Sequence, residues 1–128
     1  MKLSAYIYVM IGGAIGTLCR YIMVSAMQRP DISFPWGTLC VNLLGSLLVG
    51  VFWGVLNGYD SNHLVRLFVM IGVLGGFTTF SAFSLETILL FKAGAVKSAL
   101  LYIFFSNAGG FALAYAGFLL TSALRVLK

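Results

Sequence analysis

The chain has 128 residues, of which 61% are hydrophobic and only 9% are charged. Ordinary soluble domains carry about 25% charged residues, so this composition excludes a soluble protein and predicts an integral membrane protein with room for one domain. The net charge of +5 comes from basic residues that stand singly at the ends of apolar segments. That pattern is typical of membrane-interface anchors and not of nucleic-acid binding.

Four segments are long and apolar enough to cross a bilayer, which takes about 20 residues per helix. They lie at residues 6–27, 36–57, 64–91 and 98–124. We therefore predict an all-α membrane protein in which residues 1–128 form a single four-helix domain. The first segment is too long for a signal peptide and contains Arg20, and its removal would leave only three helices.

The basic residues are divided equally between the two ends of this predicted bundle. One end collects Lys2, Arg66, Arg125 and Lys128, and the other collects Arg20, Arg29, Lys92 and Lys97. Because positive charge sets membrane orientation, a four-against-four balance predicts no preferred orientation. Two oppositely oriented copies could then pair about an axis in the membrane plane.

Small residues recur at four-residue spacing in every span, which lets helix backbones approach closely. These residues are Gly12 and Gly16; Gly50, Gly54 and Gly58; Gly72 and Gly76; and Ala108, Ala112 and Ala116. Four compact helices cannot easily enclose an aqueous path alone. We therefore expect an oligomer, and in the first place a homodimer surrounded by lipid.

Residue types typical of metalloenzymes or hydrolases are too sparse to form a catalytic group. Cys19 and Cys40 lie in apolar surroundings without metal-ligand spacing, and we interpret them as packing residues. His63 stands alone in a polar connection, where a solvated histidine is expected. The sequence therefore predicts a protein that is not an enzyme.

The third segment contains a polar interruption at residues 75–87, with paired glycines, hydroxyls, three closely spaced phenylalanines and the carboxylate of Glu86. Asn42 in the second segment and Tyr102 and Ser106 in the fourth add polar groups at helical spacing. Amide and hydroxyl groups donate hydrogen bonds, and aromatic rings have a positive edge. Three polar stripes of this kind favour the passage of a small anion.

Simpler explanations exist for each of these residues. Phe80 and Phe83 could be core packing, and Asn42 could be a hydrogen bond between helices. Serine and threonine often donate to their own helix backbone. Glu86 and Arg20 could extend to the membrane interface, because each lies near the end of a span. The residues by themselves thus indicate a polar path through a small oligomer.

The sequence also resembles the Fluc fluoride channels, or CrcB proteins, over all four spans. The matching residues are Gly12-Gly13, Gly16, Arg20-Tyr21, Gly37-Thr38-Leu39, Val41-Asn42, Gly45 and Gly75-Gly76-Phe77-Thr78-Thr79-Phe80-Ser81-Ala82-Phe83-Ser84-Leu85-Glu86. This resemblance implies a dual-topology homodimer with two antiparallel pores and a broken third helix. It also implies passive, fluoride-selective export across a bacterial inner membrane, which protects the cytoplasm.

The resemblance further implies roles for individual residues. Phe80 and Phe83 would surround the ion, Asn42 would donate to fluoride, and Tyr102 and Ser106 would contribute from the fourth helix. Ser81, Ser84 and Thr87 with Glu86 would line a polar track towards one vestibule, and Arg20 would lie near the pore entrance. A structural sodium ion at the dimer interface would be held by the backbone carbonyls of Gly75 and Thr78 from both subunits.

Two other functions compete with a channel. Small multidrug transporters are similar in having four helices and an antiparallel dimer, but they need a carboxylate in the first helix to exchange protons and cationic drugs. The first span here has no Asp or Glu. A purely structural membrane subunit is the other alternative, although it needs no aligned donors on three helices.

Overall fold

The computed structural model describes residues 3–28, 34–56 and 63–126, with side chains described up to residue 124. Several residues of the charge and glycine patterns, and the last residue of the predicted second segment, lie outside this description. They are Lys2, Arg29, Asn57, Gly58 and Lys128, together with the side chain of Arg125.

Four helical segments are long and apolar enough to cross a membrane, namely Leu3–Met27, Trp36–Leu56, His63–Lys92 and Val96–Leu124. Within the described ranges no β-strand occurs. The predicted all-helical class with four membrane-crossing segments is therefore confirmed. We refer to these segments as the first to fourth spans.

The first two spans are single helices, and the other two are assembled from shorter pieces. In chain order the helices are α1 (Leu3–Met27), α2 (Trp36–Leu56), α3 (His63–Arg66), α4 (Leu74–Phe77), α5 (Phe80–Lys92), α6 (Val96–Phe104) and α7 (Gly110–Val126). Two π-helical segments, Leu67–Val73 and Phe105–Gly109, join α3 to α4 and α6 to α7. π-Helical turns are rare and often occur at functional sites.

Thr78 and Thr79 separate α4 from α5 with extended backbone. Their φ and ψ angles are −80° and 156° at Thr78 and −150° and 114° at Thr79. The Thr79 side chain accepts a hydrogen bond from the Ala82 amide at 3.2 Å, so it caps the N-terminus of α5. The phenylalanines Phe80 and Phe83 consequently lie in the first turn of α5, directly after the non-helical residues.

Glycines bring the helix backbones into close contact at two crossings. A Cβ atom at Gly12 would lie 2.5 Å from the Phe68 carbonyl oxygen, where α1 meets the third span. At Gly50 it would meet the Ala114 carbonyl, where α2 meets α7. Such contacts maximise van der Waals packing, which drives helix association in lipid.

The fourth-span alanines differ from this pattern, because Ala108, Ala112 and Ala116 are all exposed in the single chain. α7 contacts α2 instead through Gly117 and Thr121, which are buried. The stripe of alanines thus remains a prediction for contacts outside this chain. Cys19 is likewise exposed and does not act as a packing residue within the chain.

A small buried cluster lies where α2, α5 and α6 meet. Its members are Leu39, Phe83, Leu90, Ala99 and Tyr102. Most large apolar side chains elsewhere face outwards, as expected for a chain whose solvent is lipid. The cluster fixes α5 against its neighbours and so positions the polar residues described next.

Candidate functional site

A groove with a volume of about 360 Å³ runs along the residues between α4 and α5. Its lining combines the second, third and fourth spans and consists of Asn42, Gly45, Ser46, Val49, Met70, Leu74, Gly75, Thr78, Thr79, Phe80, Phe83, Ser106 and Asn107. None of these described lining residues carries a formal charge. The groove thus contains hydrogen-bonding groups and aromatic rings but no charged side chain among its described lining residues.

Phe80 and Phe83 form the aromatic part of this groove. Their ring centroids are 5.5 Å apart with an interplanar angle of 49°. Phe83 is 8% exposed and packs edge-on against Tyr102 at 5.1 Å, whereas Phe80 is 76% exposed. Core packing therefore accounts for Phe83 but not for Phe80, whose ring has little contact within the chain.

Asn42 forms two hydrogen bonds with the backbone of Thr79. The Asn42 Nδ2 donates to the Thr79 carbonyl at 3.0 Å, and the Thr79 amide donates to Asn42 Oδ1 at 2.8 Å. Thr79 lies outside the helices, and Asn42 supplies the hydrogen-bond partners for both its amide and its carbonyl. This hydrogen-bonded pair, here called the Asn42–Thr79 clamp, joins α2 to the start of α5.

Glu86 accepts hydrogen bonds from two other helices. Thr38 Oγ1 donates to Oε1 and the Tyr102 hydroxyl donates to Oε2, both at 2.7 Å. The carboxylate is half-buried and is one of the residues that line a second cavity of about 270 Å³. It is therefore held inside the bundle and does not simply extend to the interface.

Tyr102 lines neither cavity but contacts one lining residue of each. Its ring packs against Phe83 of the groove, while its hydroxyl contacts Glu86 of the second cavity. The second cavity is otherwise lined by Gln28, Pro35, Leu89, Leu90 and Ala93, near the ends of α1 and α5. Aromatic and polar groups therefore follow one another from the groove towards one end of the bundle.

The hydroxyls of α5 are partly occupied by their own helix. Ser84 Oγ donates to the Phe80 carbonyl at 2.9 Å, and Thr87 Oγ1 donates to the Phe83 carbonyl at 2.7 Å. Ser81 Oγ lies 3.4 Å from Thr79 Oγ1, and the residue is exposed. Donation to their own helix backbone, the simpler explanation, thus applies to Ser84 and Thr87. Their oxygen lone pairs can still accept other hydrogen bonds.

Ser106 presents the opposite situation in the fourth span. Its Oγ is buried and has no hydrogen-bond partner in the described part of the molecule. Because an unpaired buried hydroxyl is costly, such a group usually serves a ligand or another polar partner. Ser106 lies on the wall of the groove, so its donor is available there.

A family model described as "CrcB-like protein, Camphor Resistance (CrcB)" matches residues 7–118. The chain belongs to the CrcB family. Among relatives named "Fluoride-specific ion channel FluC", the Thermus thermophilus protein is 46% identical over 126 residues, covering 97% of this chain and 98% of that one. The Novosphingobium aromaticivorans protein is 47% identical over 103 residues, covering 78% and 82% respectively. Together with its four apolar helices, these relatives make the chain a multi-pass bacterial membrane protein.

Several site residues that the CrcB resemblance implied lie together, and others lie elsewhere. Asn42, Phe80, Phe83 and Ser106 line the groove, whereas Arg20 is half-buried on α1 and does not line it. Thr38, Thr79 and Asn107 were not predicted as site residues. Thr38 stands one turn before Asn42, which was a usable signal, but its bond to Glu86 spans 48 residues of sequence.

The CrcB resemblance implies a sodium ion held by the carbonyls of Gly75 and Thr78, and the amides that would bond to these carbonyls in a regular α-helix are directed elsewhere. The amide four residues after Gly75 belongs to Thr79 and donates to Asn42. The amide four residues after Thr78 belongs to Ala82 and donates to the Thr79 side chain. Both Gly75 and Thr78 also line the groove. Oxygen donors of this type fit a hard cation, while the described residues contain no cluster of three or more His, Cys, Asp or Glu for a metal.

Proposed function

We propose that this chain is one subunit of a fluoride-selective channel that lets fluoride leave the cytoplasm passively and so limits fluoride toxicity. Membership of the CrcB family and the channel names of its relatives support this function. A channel in a bacterial inner membrane needs no catalytic group. The groove on the second, third and fourth spans is the ion path of the proposal.

The observation that carries the proposal is the chemistry of the groove near Ser106. An unpartnered hydroxyl lines the same groove as two phenylalanines, and no charged side chain lines the groove within the described residues. Donors and ring edges attract a small anion. With no charged side chain in the lining, these groups bind the anion weakly enough to let it leave, as conduction requires.

The path continues from the groove through Tyr102 to Glu86. Hydroxyls of Ser81, Ser84 and Thr87 lie along α5, the helix that carries both phenylalanines. In the proposal these groups form a polar track to one vestibule, and Arg20 lies near the pore entrance. Asn42 fixes the start of α5 through the clamp, and its second amide hydrogen donates to the ion.

A second copy in the opposite orientation completes the pore. Phe80 lines the groove yet is 76% exposed in the single chain, so its outer face lacks a protein neighbour. In the proposal an antiparallel partner covers this face, giving two pores per homodimer. The extended residues Thr78 and Thr79 then form the break of the third helix at the centre of the dimer.

The proposal includes a structural sodium ion between the subunits. The carbonyls of Gly75 and Thr78, whose helical donors are directed elsewhere, would hold it from both copies. A bound cation would satisfy these oxygens and supply a fixed positive charge near two anion paths.

The decisive experiment is anion efflux from liposomes that contain the purified protein, with fluoride and chloride compared in parallel. We expect rapid loss of fluoride while chloride is retained, and no loss from protein-free liposomes. Equal loss of both anions would contradict selectivity. Fluoride movement that requires a proton gradient would instead indicate a coupled carrier. No fluoride loss from an intact assembly would contradict the channel.

A further inference from the structure

The π-helical segment Phe105–Gly109 lies at the groove and interrupts the regular helix of the fourth span. Two consecutive residues of this segment, Ser106 and Asn107, both line the groove. In an α-helix neighbouring residues point about 100° apart, since there are about 3.6 residues per turn. The wider π-turn reduces this angle, which allows both side chains to reach the same groove.

Asn107 forms a hydrogen bond that supports this turn. Its Nδ2 donates to the carbonyl of Ile103 at 2.8 Å, four residues earlier in the chain. In a π-helix the backbone amides bond five residues back instead of four, which widens the turn. The Asn107 side chain adds a bond from the middle of the π-helical segment to Ile103, just before the segment begins.

We propose that Asn107 is a positioning residue for the pore: by bonding to Ile103 it holds the π-turn that aims the unpartnered Ser106 hydroxyl into the groove. This inference rests on the proposed fluoride channel, because the task of Ser106 there is to donate to the ion. Asn107 acts through the backbone of its own helix and not by contact with fluoride.

The chain contains matched references for the Asn107 bond. Ser122 Oγ makes the same kind of bond, to the Phe118 carbonyl at 2.9 Å, but in the α-helical part of the span. Ser84 and Thr87 show that a hydroxyl can also reach the carbonyl four residues back. Threonine at position 107 can therefore donate to the Ile103 carbonyl in place of the asparagine amide. Valine, which has the shape of threonine, has no donor.

The test compares Asn107→Thr with Asn107→Val in fluoride efflux from liposomes, with Ser122→Ala as the control. We expect near-wild-type rates for Asn107→Thr and Ser122→Ala. Asn107→Val should lower the rate by about tenfold, the loss expected when one hydrogen-bond donor to an ion is displaced. Ser106→Ala should show the same loss, and the double variant Ser106→Ala with Asn107→Val should be no slower than either.

Two results would overturn the inference: equal rates for the threonine and valine variants, or losses that multiply in the double variant. If Asn107→Val does not assemble, the same comparison is made between Asn107→Ser and Asn107→Ala. Amide hydrogen exchange at residues 103–110 gives a readout without transport, and it should be faster with valine than with threonine. Absence of efflux from the wild type would contradict the channel itself, and exchange alone would then decide whether Asn107 supports the turn.

Discussion

Phe80 and Phe83 lie one turn apart on α5 but differ in what surrounds them. Phe83 is buried between Phe80 and Tyr102, while Phe80 is 76% exposed. We expect Phe80→Ile to abolish most fluoride efflux with little change in the stability of the subunit, because few contacts within the chain are lost. Phe83→Ile should abolish efflux and also lower the free energy of unfolding by about 1–3 kcal/mol, since it removes the ring contact with Tyr102 as well as that with Phe80 and changes shape in a packed cluster.

Efflux from liposomes and thermal unfolding in detergent measure the two effects. Leu85→Ile, at an exposed position of the same helix, is the control and should leave both unchanged. Normal efflux through Phe80→Ile would remove the aromatic pair from the ion path and return it to simple packing.

The Asn42–Thr79 clamp gives a second prediction at this scale. Asn42→Asp keeps the acceptor for the Thr79 amide but loses the donor to the Thr79 carbonyl, and an ionised carboxylate repels an anion. We expect efflux to fall below detection while the assembly is retained. Asn42→Leu removes both bonds without adding charge, so a larger residual efflux in that variant identifies the charge as the cause. Near-normal efflux in Asn42→Asp would leave Asn42 as a helix contact only.

The candidate site residues could be predicted from the sequence, but not all of their hydrogen-bond partners. Helical spacing places Phe80 and Phe83 on one face, and the amide of Asn42 among leucines is visible without coordinates. The carboxylate of Glu86 bonds to residues 48 and 16 positions away, and periodicity carries no information about such contacts. Interpretation of Glu86 as an interface residue therefore remained open until the helices were packed together.

At the scale of the helical elements, hydrophobic length predicts the four spans but not the π-segments. A π-turn and an α-turn use the same apolar residues, and they differ by a single hydrogen-bond register that no composition reveals. The sequence likewise marks Gly50 and Ala112 alike as small residues. Only the packing shows that Gly50 is buried against α7 while Ala112 is exposed.

The contact between α2 and α7 can be tested at Gly50. An added Cβ would meet the Ala114 carbonyl, so we expect Gly50→Ala to destabilise the protein by about 1–3 kcal/mol through overpacking. Gly13→Ala is the matched control, because its Cβ would have its nearest neighbour, the Gly72 carbonyl oxygen, at 4.0 Å. Thermal unfolding in detergent compares the two variants. Equal melting temperatures would show that the helices can separate at this crossing without cost.

At the scale of the whole molecule, the balance of basic residues predicts insertion in both orientations. Lys92 and Lys97 belong to one end of the bundle and are both exposed, so they can be replaced with little effect on the fold. The double variant Lys92→Gln with Lys97→Gln leaves four basic residues at the end that carries the termini and two at the other. The end that carries the termini, which keeps more basic residues, should then stay in the cytoplasm.

Reporter proteins fused to the C-terminus measure this orientation. We expect activity on both sides of the membrane for the wild type and mainly cytoplasmic activity for the double variant. Fluoride resistance of cells should fall in the variant, because antiparallel pairs require both orientations. A wild-type reporter active on one side only would contradict the mixed orientation.

The Asn42–Thr79 clamp also makes the two positions differ in how freely they can vary. Both hydrogen bonds of Asn42 go to the peptide groups of residue 79, so a side chain that fits there preserves both bonds, and proline alone removes the amide donor. Position 42 has no such freedom, since asparagine combines a donor and an acceptor at this reach. Because the Thr79 side chain is only 8% exposed, a survey of all substitutions should find small residues tolerated at position 79, with serine and threonine favoured for capping α5, and residue 42 almost invariant.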